Sequence, residues 1–156
     1  MALTFDLINT ISVDNSAPAT VTFNSIPGTY TDLLIQHSTR GTGAPFLFIY
    51  FNGSNSNLSG VYSGADGQNT PGSGARTDGY IGAPGGVNNN FGGGFSNGEI
   101  YITNYASTSY NKCLLNQAVA PLVSGAYSEM NVFGTVWASN SAITSISFYS
   151  GDNWAQ

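Results

Sequence analysis

"FNSIPGTYTDLLIQHSTR", residues 23–40, sets a Pro-Gly step between two runs of alternating polarity. Ahead of it Ala19, Val21 and Phe23 share a face. Behind it Leu33, Ile35 and His37 point one way and Asp32, Leu34, Gln36, Ser38 and Arg40 the other. Side chains in a strand alternate with period two, so the stretch reads as strand, turn, strand. Pro27 fixes φ and Gly28 tolerates φ > 0, which predicts a type II turn.

The same period extends in both directions. In "LTFDLINTISV" (3–13) the residues Leu3, Phe5, Leu7, Ile11 and Val13 align, predicting a first strand that "DNSAP" ends. "PFLFIYFNG" (45–53) is apolar on both faces, as expected of a central strand covered on both sides, and it closes on the turn pair Asn52-Gly53. "EIYITNY", "KCLLNQAVA", "SEMNVFGTVWAS" and "AITSISFYS" follow, and no segment carries a helical stripe. About eight to ten short strands between Gly, Asn and Ser turns predict an all-β protein, a single-domain jelly-roll-like antiparallel β-sandwich spanning 1–156. Residues 64–98 are glycine-rich and read as a long loop insertion, with "DGYIGAP" as a brief strand inside it.

Charged residues are 7% of the chain, far below the ~25% of an average soluble domain, while hydrophobic residues reach 41%. Such a chain folds, and its surface is built from Ser, Thr, Asn and Gly. The net charge is -5 and the only cations beside His37 are Arg40, Arg76 and Lys112. Neither nucleic acid nor an anionic membrane is therefore an expected partner. "MALTFDLINT" lacks the pattern of a secretion signal, so synthesis in a cytoplasm is expected. The one cysteine, Cys113, excludes an internal disulfide and reads as a small buried hydrophobe.

Catalytic chemistry finds little to stand on. His37 is the only imidazole and its alternation sends it inward with Leu33 and Ile35, as a packed core or interface side chain. Asp66, Asp78 and Glu99 flank the glycine-rich stretch, but nothing in their spacing marks the carboxylate pair of a glycosidase. "GAPGG" and "FGGGF" lead into no helix and so hold no phosphate. The expectation is a non-enzyme with no cofactor and no metal. What remains is surface: aromatic residues amid uncharged hydrogen-bonding neighbours suit protein contact or stacking on sugar rings. The candidate contact residues are Ala2, Leu3 and Phe5 at the N-terminus, Arg40, Tyr62, Arg76, Tyr80, Phe91 and Phe95, and Trp154 near the end. The segment Ala2–Phe5 and the stretch Gly64–Gly98 are the expected contact regions.

"FNSIPGTYTDLLIQHSTR", "FIYFNG", "EIYITNYASTSYNK" and "VWASNSAITSISFYSGDNWAQ" resemble, in that order, recurring stretches of small all-β structural proteins of tailed bacteriophages. The family pattern continues past "GDNWAQ" into a further strand, whereas this sequence ends at Gln156. The resemblance implies a virion component, either a capsid decoration (cement) protein or a tail or fibre module. It implies contacts to a major capsid protein or other virion proteins and assembly as a dimer or trimer. It carries no catalytic residues.

Overall fold

The computed structural model describes residues 5–14, 16–41, 47–66, 71–82, 85–86, 94–121, 128–151 and 154. Among them there are strands and turns but no helix. The strands are β1 (Thr20–Phe23), β2 (Leu33–Gly41), β3 (Leu47–Phe51), β4 (Leu58–Asp66), β5 (Gly72–Arg76) and β6 (Tyr80–Gly82). Then come β7 (Gly85–Gly86), β8 (Ser96–Thr103), β9 (Lys112–Pro121), β10 (Ser128–Trp137) and β11 (Ile146–Ser150). They form a four-stranded sheet, β1-β11-β3-β6, and a seven-stranded sheet, β5-β4-β10-β9-β8-β2-β7. Every pairing is antiparallel except the short β2–β7 ladder. The protein is an all-β sandwich.

The core lies between the sheets. Leu47, Ile49 and Phe51 enter it from β3, Ile146 and Phe148 from β11, and Leu33, Ile100, Ile102, Leu114 and Trp137 from the larger sheet. Leu33, Ile35 and His37 do face inward together, as the alternation predicts. The other face of β3 is not covered by a further layer. Phe48 and Tyr50 there meet Tyr149 and Tyr80 in a half-exposed cluster with ring centroids 5.9–6.3 Å apart.

Three expectations are corrected. Residues 5–14 form no strand, because no ladder receives them, and only Val13 and Ala17 of this region pack on the core. Gly28 is not at positive φ, so the turn at Gly28–Thr29 is not type II; the left-handed residue here is Ser25, at 56°. Ile26 N–H, bonded to Thr144 O at 3.0 Å, and the Tyr105 hydroxyl, which donates to Pro27 O, fix the connection instead. The stretch 64–98 is no single loop, since it supplies β5, β6, β7 and the start of β8. Glycine is used as a packing residue within it: a Cβ on Gly74 would sit 2.9 Å from the Tyr62 ring that lies over it.

Four loops are tied together at one end of the sandwich. Asn52, at φ 51° in a tight turn with Gly53 at 79°, accepts from Thr144 and Ser145 N–H and donates to Ala142 O at 2.8 Å. Ile143 N–H reaches Tyr105 O at 2.9 Å. Lys112, fully buried, donates from Nζ to the carbonyls of Ser107, Tyr110 and Ser139 at 2.5, 3.0 and 3.3 Å. The fourth loop is the β1–β2 connection, joined to the same end through Ile26 N–H and Thr144 O.

Candidate interaction surface

Two features dominate the exterior. The first is the arm of residues 5–12, whose Phe5 and Leu7 are 77% and 83% exposed. It stands off the domain across a groove of about 880 Å³, whose far wall is the β1–β2 connection, β2 and Tyr101. On that side β2 is hydrogen-bonded to β7 only at Arg40 and Gly41. Among the described residues, no ladder is recorded for Leu33–Thr39 on the edge opposite β8. An open edge presents unpaired N–H and C=O groups ready to accept another strand. An arm with apolar side chains at alternate positions lies beside it without pairing.

The second feature is the outer face of the seven-stranded sheet, where Val61, Leu115, Met130, Val119, Val132, Val136 and Tyr101 are all exposed. Cys113 is exposed on it too. This corrects the reading of Cys113 as a buried hydrophobe: in β9 the even-numbered residues point in, which takes Lys112 and Asn116 inside and leaves the thiol outside.

The sequence-predicted contact residues separate into groups. Ala2, Leu3 and Phe91 lie outside the described residues. Phe5 belongs to the arm. Arg76 and Tyr80 are brought together: the guanidinium lies 4.5 Å over the Tyr80 ring and pairs with Asp78 through two bonds of 3.1 and 2.6 Å. Tyr80 meets Phe133, which meets Tyr62, so these rings join the cluster of Phe48, Tyr149 and Tyr50 in one run. Arg40 lies 4.7 Å over the Phe95 ring. Asp32 accepts from Tyr101 Oη at 2.5 Å and Asn104 N–H at 2.8 Å. Trp154 is a core residue, 2% exposed and bridged to Gly41, so it is not available for surface contact. The candidate acids do not converge either, since β9 and β10 separate the strand of Glu99 from that of Asp66.

No protein-family model, curated protein or solved structure matches this chain. Its function has to be read from the surfaces themselves.

His37 lines a cavity of about 290 Å³ between the sheets, together with Phe23, Phe148 and Trp154. The ring crowds Gly98, where a Cβ would fall 2.2 Å from Nε2, and Nε2 has no hydrogen-bond partner. Burial lowers its pKa from 6.5 to about 4. The fold therefore holds the neutral ring, and the unfolded chain binds the extra proton between these values. Stability is complete above pH 6.5 and falls as the pH drops towards 4, by about 3 kcal/mol from this group at ~1.4 kcal/mol per pKa unit. Denaturant titrations at pH 7 and pH 4.5 on wild type and His37→Gln isolate that share. The variant is expected to lose most of the difference, and an unchanged pH dependence would show the ring to be solvated.

Proposed function

We propose that this protein is a structural component of a tailed-bacteriophage virion, a capsid decoration protein that binds the assembled shell and stabilises it. The observation that carries the reading is the arm: the exposed apolar side chains of Phe5 and Leu7, beside an edge of β2 that meets no ladder over Leu33–Thr39 among the described residues. Such a segment gains cover when it lies on a neighbouring subunit. The four resembling stretches support the same family. The strand order supports a jelly roll in which β1-β11-β3-β6 is one sheet and the β8–β10 meander occupies the place of a single strand in the other.

The mechanism is contact without turnover. A protein that binds only the assembled lattice shifts the equilibrium towards that lattice by RT ln(1 + [L]/Kd), and repetition over the shell adds avidity. A second reading, a tail fibre or spike module that binds host polysaccharide, is favoured by the run of half-exposed rings at Phe48, Tyr50, Tyr80 and Tyr149, because sugars stack on aromatic faces. Quantitative mass spectrometry of purified particles separates the two. Copies in simple ratio to the major capsid protein are expected for decoration. A few copies per particle would move the protein to the tail, and absence from the particle would remove both readings. Phe5→Asp with Leu7→Asp is expected to abolish binding to empty capsids at unchanged thermal stability.

A further inference from the structure

β9 turns its polarity inside out. Inward it sends Lys112, Leu114, Asn116, Ala118 and Ala120; outward it sends Cys113, Leu115, Gln117 and Val119. Its neighbour does likewise, burying Asn131 while Met130, Val132 and Val136 stay outside. Period-two register is strongly specified wherever one face is buried, because a one-residue slip exchanges the faces. Strands that keep Lys and Asn inside and Leu, Val and Met outside have two faces to satisfy, and the second is the exterior.

The exterior residues line up. In cross-strand register, Val61, Gly134, Leu115, Tyr101 and Leu34 form one row across β4, β10, β9, β8 and β2. Val136 stands directly opposite Cys113 on one side of this row, and Met130 opposite Val119 on the other. Val61, Leu115 and Met130 are 64%, 59% and 55% exposed. Together the exposed apolar side chains of this face present on the order of 600 Å², the top of the range for a monomer's largest apolar patch and most of the ~800 Å² that each partner brings to a standard interface. Among the described residues that point outward from β4, β10, β9 and β8, Glu99 is the only one of formal charge, and it accepts from Gln36.

We propose that this face is where two copies of the chain associate, packed face to face over β9 and β10. The low charge of this face selects the occupant. Among the described side chains, a basic partner would find no outward carboxylate on β4, β10 or β9 to recognise, whereas a second copy of this acidic chain can approach here with few like charges opposed. The relief also matches itself. A Cβ built on Gly134 meets nothing within 4 Å, so a hollow lies between the ridges of Val61 and Leu115. In a two-fold arrangement the Leu115 ridge of each copy fills the Gly134 hollow of the other, since an isologous contact uses one patch twice. The inference is independent of whether the protein sits on capsid or tail.

The test is sedimentation of the full chain over a concentration series, with Leu115→Glu and Val61→Glu as interface variants and Phe5→Glu in the arm as the control. Wild type and Phe5→Glu are expected to dimerise, and each interface variant to weaken association at least ~100-fold, because the symmetry brings in two carboxylates and buries both. Both interface positions are more than half exposed in the single chain, so circular dichroism is expected to show an unchanged fold. Should a variant misfold, the Cys113 thiol of the wild type reports instead: its maleimide labelling is expected to be slow at high protein concentration and to accelerate on dilution. A wild-type monomer at ~100 μM, dimers that persist in a folded Leu115→Glu protein, or labelling that ignores concentration would each overturn the proposal.

Discussion

Lys112→Met is expected to lower the stability of the fold by about 3 kcal/mol, a fall of roughly 10 °C in Tm at ~2–4 °C per kcal/mol for a domain of this size. The ammonium holds three carbonyls from two separate loops and lies 5.6 Å from the centroid of the Trp137 ring. Methionine fills a similar volume, so the loss comes from carbonyls left without their charged donor rather than from a void. Thermal melts give the magnitude. Hydrogen exchange locates it, with amides of residues 104–111 and 138–143 expected to lose protection before those of β9 and β10. A Tm within ~2 °C of wild type would mean that water replaces the ammonium at no cost.

Trp154→Ala is expected to be as damaging, by about 3–5 kcal/mol, the usual range when a fully enclosed indole is removed. The ring closes the inter-sheet cavity beside His37 and its backbone pairs with Gly41. The change should appear in equilibrium unfolding, with any loss of binding following the loss of fold. A variant of normal stability that fails only to bind a partner would show that Trp154 acts at the surface.

Much of the fold was legible because strand pattern and turn chemistry are local. β10 and β11 lie within the runs that period two marks out, β2 and β9 exceed theirs by one residue, and Asn52-Gly53 forms the turn it announces. The N-terminal run shows where the pattern stops being sufficient. Leu7, Ile11 and Val13 alternate as a strand should, but a strand exists only when another accepts its hydrogen bonds, and that is decided across the chain. Glycine misled in the other direction. Gly72–Arg76 looks like loop by composition, yet it pairs along β4 because the Tyr62 ring occupies the space where a side chain would stand.

The candidate surface was harder to read, for a related reason. Alternation says that Met130, Val132 and Val136 share a face but not which way that face looks. The apolar neighbours of Cys113 point to the interior, although Lys112 and Asn116, by finding carbonyl partners at Ser107 and Ile81, take the inner positions. Trp154 looked like a loop-end ring because its partner Gly41 is far away in sequence. The sequence clue to the surface was the mismatch itself: β9 has a more apolar face than the one that packs.

The topology also governs the order in which the protein is born. Among the described residues β1 hydrogen-bonds to β11 alone, and β3 lies on the other side of that same strand. On a ribosome, β8, β9 and β10 can pair with one another and β3 with β6 as they emerge, but β1 waits until the codons for Ile146–Ser150 have been translated and that segment has cleared the exit tunnel. Until then the nascent chain carries β1 without the strand it pairs with. A ribosome stalled before that point should hold a chain open to protease at β1, and extension past β11 should close it.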